Sequence, residues 1–154
     1  MRIQDLYTPR ARTAFRNEPL AEAARSLCEE HVGALVVIER PDSPSRPVGI
    51  LTDRDIVRGQ LRRSADLYCL TVGDVMTVDP LVLPIHLDTT EAIDAMNARA
   101  VRRAPIVDAS GALVGIITLD DLLPALAQEL SSLASLMGSQ ARHERASQDV
   151  VQSA

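Results

Sequence analysis

The chain has 154 residues, 46 % apolar, 24 % charged and only 2 % aromatic, with no tryptophan and a formal net charge of −5. That balance suits one ordinary domain or two small ones with a core of Leu, Ile, Val and Ala. It excludes the aromatic platforms and basic faces that hold nucleic acid, and no apolar run is long enough to cross a bilayer. Two cysteines, Cys28 and Cys69, are too few for a disulfide framework, and no secretory signal precedes Asp5, so the cytoplasm is the expected compartment.

In chain order, residues 13–15 read as a short strand. Pro19 sits where a helix can begin, and Leu20, Ala23, Ala24, Leu27, Cys28 and His31 fall at helical spacing on one face, with Gly33 as the expected stop. Residues 34–39 form a strand whose Leu35-Val36-Val37-Ile38 run is buried on both sides. A loop rich in Pro and Ser leads to a second strand over 48–51, then to a helix from Asp53 to about Arg58 that closes near Gly59. Residues 60–70 read as a partly helical, exposed connection anchored by Leu61, Leu67 and Leu70; Arg58, Arg62 and Arg63 are expected on a solvated face.

The second half follows the same order. A strand over 81–83 precedes a helix over 90–99 with Ala92, Ile93, Met96 and Ala100 inward, then a strand over 105–107. Asp108-Ala109-Ser110-Gly111 is a hairpin turn with the glycine supplying positive φ, and 113–117 is its partner strand. Pro124 is expected to break the last helix and start a new one running to about Met137, where Gly138 stops it. Leu126, Leu130, Leu133 and Met137 make an apolar stripe that suits either in-chain core or a dimer contact; from Ser139 the chain is polar and expected to fray.

The two halves are copies. Shifted by 69 residues, Ile3-Gln4-Asp5-Leu6-Tyr7-Thr8 falls on Val72-Gly73-Asp74-Val75-Met76-Thr77, and Val36-Val37-Ile38-Glu39 on Pro105-Ile106-Val107-Asp108. The offset then becomes 66, because the loop at 40–47 is three residues longer than its counterpart, and Gly49-Ile50-Leu51-Thr52-Asp53-Arg54-Asp55 recurs as Gly115-Ile116-Ile117-Thr118-Leu119-Asp120-Asp121. Each copy reads as a buried strand that turns at a threonine into a helix.

Two readings of that turn stand side by side. In one, Thr52 with Asp55 and Thr118 with Asp121 are capping boxes, each hydroxyl and carboxylate satisfying helix-end amides. In the other, the helix N-terminus and hydroxyl hold a phosphate while the aspartate accepts from ribose hydroxyls. Asp53, Asp55, Asp120 and Asp121 crowd the turns with negative charge, so a phosphate needs cations, and Arg54, Arg102 and Arg103 are the candidates. No catalytic constellation is present: Cys28 and His31 give two zinc ligands at most and are expected to be buried helix-face residues, His86 and His143 stand alone, and no serine occupies a nucleophile elbow.

The two copies of Gly-h-h-Thr-x-x-Asp (h, apolar), with Arg102-Arg103-Ala104-Pro105-Ile106-Val107-Asp108 ahead of the second, resemble the cystathionine-β-synthase (CBS) domain, whose tandem pair is a Bateman module. The resemblance covers residues 1–126. It implies an α+β fold of two β-α-β-β-α repeats packed pseudo-symmetrically, over 1–62 and 71–126, joined by a linker at 63–70 and followed at 127–154 by a C-terminal helix and polar tail. It implies a non-catalytic regulatory module whose clefts bind AMP, ADP, ATP or S-adenosylmethionine, with no cofactor required. By the same resemblance Thr52 with Asp55 and Thr118 with Asp121 fall at phosphate and ribose positions, and Arg54 stays a ligand-binding candidate as a cation. Ala34, Leu35 and Val36, and Ala104, Pro105 and Ile106, fall along the adenine-holding strands, and the Arg-Arg-x-Pro pattern, with Arg103 as a ligand-binding candidate, equips the second site with cations. Such pairs commonly form homodimers, and an unknown effector protein is a further expected partner; neither nucleic acid nor membrane is. The alternative is a dimeric scaffold of the same fold without a nucleotide.

Overall fold

The computed structural model describes residues 1–39 and 45–152, with side chains as far as residue 140. The chain divides into two compact units, residues 1–118 and 119–154. The loop at 40–44, to which the three-residue length difference was assigned, and the side chain of His143 lie outside the described residues.

Among the described residues, the first unit holds eight strands and four α-helices. They are β1 (Thr8–Pro9), β2 (Thr13–Phe15), α1 (Leu20–Glu29), β3 (Ala34–Ile38), β4 (Pro47–Thr52), α2 (Asp53–Arg63), α3 (Val72–Val75), β5 (Thr77–Val78), β6 (Leu83–Pro84), α4 (Thr89–Ala98), β7 (Arg103–Val107) and β8 (Leu113–Thr118). They build two four-stranded sheets, ordered β2-β3-β4-β5 and β6-β7-β8-β1. In each, the first pair is parallel and the others antiparallel, and both carry a register shift at equivalent places, Val37/Ile38 and Ile106/Val107. The continuous apolar runs of β3 and β7 predict burial on both faces, and Leu35 to Ile38 and Ala104 to Val107 are all buried.

The repeats exchange their leading segments. β5, from the start of the second repeat, pairs with β4 of the first; β1, from the start of the first, pairs with β8 of the second. Backbone bonds repeat the exchange at the same offset: Leu20 N donates to Leu70 O at 2.8 Å and Thr89 N to Met1 O at 3.0 Å, and Val72 N donates to Glu18 O at 3.0 Å and Ile3 N to Leu87 O at 3.1 Å. The core of the first half accordingly includes Leu70, Val72 and Met76 with Leu20, Leu27, Leu35, Leu51 and Ile56. Ile3 is completely buried at the position matching Val72.

This crossing explains the repeated glycine. A Cβ on Gly49 would lie 2.9 Å from the Thr77 carbonyl oxygen and 2.6 Å from Met76 Sδ, and one on Gly115 would collide with the Thr8 carbonyl and the Tyr7 ring. Only a residue without a side chain lets the neighbouring segment approach this closely.

Three helix ends in this unit differ from the sequence-based expectation. α1 ends at Glu29, with His31 at φ 51°, and α4 ends at Ala98, with Ala100 at φ 50°. Both ends close by a Schellman bond, Val32 N to Leu27 O at 3.3 Å and Val101 N to Met96 O at 3.0 Å. His31 and Ala100 are therefore exposed left-handed residues rather than inward-facing helical ones, and Cys28 is exposed too. α2 does not close near Gly59 but continues to Arg63, with Ser64 left-handed as its cap. Gly59 is a packing position: Val75 of α3 occupies the space its Cβ would need. The strand placed at 81–83 forms instead at Leu83–Pro84, and Leu61 is exposed rather than an anchor.

The Asp108 turn forms as expected. Gly111 has φ 82°, and Asp108 Oδ1 accepts from Ser110 N, Ser110 Oγ and Ala112 N at 2.8, 2.6 and 3.0 Å. These bonds, led by the Ser110 hydroxyl, hold the Asp108 carboxyl below its ordinary pKa.

The second unit is one helix, α5 (Leu119–Gln152), which runs unbroken through Pro124 and Gly138. Pro124 lies in its second turn, where it forfeits one bond to the Asp120 carbonyl while the many bonds beyond carry the helix on. The break at Pro124, the stop at Gly138 and the fraying from Ser139 are thus all replaced by continuous helix. Of the stripe, Leu130, Leu133 and Met137 are exposed and Leu126 is half-buried, and Leu136 beside them is exposed as well. Among the described residues, no helix is long and apolar enough to cross a membrane.

Candidate functional site

At the first repeated turn, β4 delivers Thr52 in extended conformation to the N-cap of α2. Asp55 N donates to Thr52 Oγ1 at 3.2 Å, while Thr52 N and Thr52 Oγ1 donate to Asp55 Oδ2 at 2.9 and 2.7 Å. The capping box is complete. Both donors fall on Oδ2, and among the described residues Oδ1 receives no hydrogen bond. At the second turn Thr118 ends β8 and Asp121 stands in the first turn of α5.

Two cavities in the first unit occupy equivalent positions. The Thr52 cleft, about 520 Å³, is lined by Thr52 to Asp55 of the turn, by residues 77–81 around β5, and by Arg99 and Val101 to Arg103 ahead of β7. The Thr118 cleft, about 580 Å³, is lined by Thr118 and Ile116 of β8, by residues 8–12 around β1, and by Val32 to Ala34 ahead of β3, with Arg103 added. Residues 8–12 and 77–81 match at the 69-residue offset, as do 32–34 and 101–103. Arg10 and Asp79, matched residues on the two walls, share left-handed backbone at φ 57° and 50°.

The grouping crosses the repeats. Thr52, Arg54 and Asp55 of the first repeat meet Arg102 and Arg103 of the second, whereas Thr118 meets Gly33 and Ala34 of the first. Of the Arg-Arg-x-Pro pattern, Arg102 therefore serves the Thr52 cleft and Arg103 lines both, whereas the sequence-based expectation gave the pair to the second site. Arg10 and Arg12, which sequence reasoning missed, join Arg103 in the Thr118 cleft. The 69-residue offset contains their signal, since they follow β1 in the first repeat as residues 79 and 81 follow β5 in the second. Of the strand residues, Ala34 and Arg103 reach the clefts; Leu35, Val36, Ala104, Pro105 and Ile106 are buried in the strands and do not line them.

Several of the arginines are already engaged. Arg12 is paired with Glu30, and Arg99 Nη2 reaches Asp79 Oδ2 at 3.1 Å. A third, smaller cavity of about 360 Å³ borders Arg58, Arg62 and Arg63 beside α3. There Arg63 Nη1 lies 3.6 Å from Asp74 Oδ1. The Asp74 carboxyl is held below its ordinary pKa, first by the Thr71 amide, then by the Thr71 hydroxyl, with Arg63 adding a smaller contribution. Among the described residues, no cluster of three or more His, Cys, Asp or Glu is arranged to hold a metal.

Two repeats, crossed clefts and a Thr-x-x-Asp turn closing each half define the pattern to be compared. The profile of the CBS domain matches residues 3–62 and again 72–128. The chain belongs to the CBS domain family. CBS-pair proteins are regulatory modules, and those that stand alone are generally non-catalytic. This CBS pair is 35 % identical over 125 residues to a 17.7 kDa protein of Acidianus ambivalens, covering 81 % of this chain and 73 % of that one. It is 31 % identical over 121 residues to inosine-5′-monophosphate dehydrogenase of Thermoplasma acidophilum, covering 79 % of this chain but spanning only 22 % of the enzyme. Among solved structures it resembles CBSX2 in complex with AMP, at 28 % identity and a TM-score of 0.69, covering 82 % of this chain and 96 % of that one; CBSX2 is a CBS-pair protein from Arabidopsis thaliana.

Proposed function

We propose that this CBS pair is a non-catalytic sensor that binds an adenosine-bearing ligand, AMP, ADP, ATP or S-adenosylmethionine, in its two clefts. The observation that carries the reading is the divided Asp55 carboxylate. One oxygen caps α2, and the other receives no hydrogen bond beside a cleft of about 520 Å³, within the range of small-molecule sites. Thr52 and Thr118 are the phosphate-side hydroxyls, Asp55 and Asp121 the ribose acceptors, and Arg54, Arg102 and Arg103 the phosphate cations. The AMP complex of CBSX2 supports this choice of ligand. The module acts in the cytoplasm as a homodimer and reports to an effector protein.

Thermal melting with and without each of the four ligands tests the reading, because a ligand that binds only the folded chain raises the melting temperature. At least one is expected to raise it, and Asp55→Ala with Asp121→Ala is expected to abolish the rise. A rise unchanged by the double variant removes the ribose assignment. No rise with any ligand favours the second reading, a dimeric scaffold whose turns only cap helices. The complete Thr52–Asp55 box is the observation on that side.

A further inference from the structure

The two clefts are equivalent in backbone but share one cation. Arg103 lines both of them. Its guanidinium lies over Gly33, close enough that a Cβ there would be 3.1 Å from Nη1 and 3.6 Å from Nη2. Gly33 lines only the Thr118 cleft, whereas Arg102 and Val101, beside Arg103, line only the Thr52 cleft. The residue matching Arg103 in the first repeat is Ala34, so the pseudo-symmetry supplies no second guanidinium. Among the described residues Arg103 enters no ion pair, while Arg12, Arg63 and Arg99 are each held by a carboxylate. The side chain is thus tethered at the mouth of β7 with its charged end uncommitted.

We infer that Arg103 is a shared anion partner for which the two clefts compete, so that filling one weakens the other. This rests on the nucleotide reading of the clefts and adds their regulation. A guanidinium forms its strong paired bonds to one phosphate in a fixed plane. Once turned toward a phosphate in one cleft, it is withdrawn from the other. Because the coupling is an equilibrium property, it acts equally in both directions. The pair then responds to ligand over a wider concentration range than two independent sites.

Titration calorimetry with AMP on the full chain tests this. Asp55→Ala and Thr118→Val each leave one cleft and give its separate association constant. For the wild type, the product of the two stepwise constants is expected to fall about 5- to 150-fold below the product of those separate values. In the Arg103→Gln background the same comparison is expected to agree within about twofold, a change that simple loss of affinity does not produce. Gly33→Ala, whose backbone is not left-handed, crowds the guanidinium away from the Thr118 cleft; it is expected to weaken that cleft while sparing the other. One AMP per wild-type chain and two per Arg103→Gln chain is the limiting form of the same competition and supports it. Agreement of the products in the wild type, or a deficit that persists in Arg103→Gln, overturns the competition and leaves the nucleotide reading standing. Absence of AMP binding to every form overturns the competition for this ligand, and the nucleotide reading falls with it when ADP, ATP and S-adenosylmethionine also fail to bind.

Discussion

A carboxylate has two oxygens, and at Asp55 they are separated by task. Oδ2 takes the Thr52 amide and hydroxyl, at 2.9 and 2.7 Å, leaving the cap and a ribose contact compatible in one residue. Asp55→Asn separates them experimentally. The asparagine oxygen can keep the capping bonds, whereas the second acceptor becomes an amide donor. We expect the ligand-free protein to melt within a degree or two of wild type, with AMP affinity in the Thr52 cleft reduced about 10-fold or more, the scale of a hydrogen bond to a charged group. Asp55→Ala should also lose the cap, at about 1 kcal/mol. Equal loss of stability in both variants, with affinity untouched, would reduce Asp55 to a helix cap. The capping half of this pattern was legible in the spacing of Thr52 and Asp55. The split between oxygens was not, because it depends on the side-chain angle at which α2 leaves β4.

At the level of elements, the two Schellman ends carry an avoidable strain. His31 and Ala100 hold left-handed backbone without being glycine, and each side chain is exposed. Replacing Ala100 by glycine relieves a cost of about 1–2 kcal/mol against a larger entropy loss for the unfolded chain. The expected net gain is about 0.5–1 kcal/mol, read as a rise of a few degrees in melting temperature; a fall would show that the Ala100 methyl contributes packing. The sequence conceals these ends because the usual glycine marker is displaced. Gly33 lies two residues beyond His31, and the second repeat has no glycine near Ala100. Gly59 misled in the opposite sense: it looks like a helix stop but serves the approach of Val75. Local sequence carries turn chemistry well, as Asp108 to Gly111 shows, but it cannot distinguish a glycine needed for its φ from one needed for its missing side chain.

For the whole molecule, the repeat, the strands β3, β4, β7 and β8 and the two long helices that precede β3 and β7 were readable from period and offset. The exchange of residues 1–9 and 70–78 was not, because a repeat specifies what each copy contains and leaves open which copy a short edge strand joins. The exchange is also why Arg102 faces the Thr52 cleft while Arg103 lines both clefts, which the repeat alone does not tell. Its one available signal was the glycine of Gly49 and Gly115, each kept bare by a segment from the other repeat. The exposed α5 leucines bear on assembly. Leu130, Leu133 and Met137 are 68 %, 59 % and 75 % exposed on the single chain, a costly stripe for an isolated helix to present to water. If they form the homodimer contact, Leu130→Glu with Leu133→Glu should convert a dimer to a monomer in light scattering while leaving helical circular dichroism nearly unchanged. A dimer that survives both charges would place the contact elsewhere.

The same exchange makes two halves that match in space unequal in time. Ile50 meets Thr77 across a modest stretch of chain, so the first sheet can close while the second repeat is still unfolded. Thr8 must find Ile116, about four times as far along, and loop-closure entropy at that ratio adds about 1.2 kcal/mol to the search. Long-range pairings of this kind form late. The sheet containing β1 is therefore expected to complete last, with the amides of the Thr8–Ile116 pairing the last of the first unit to gain protection in pulse-labelling hydrogen exchange during refolding.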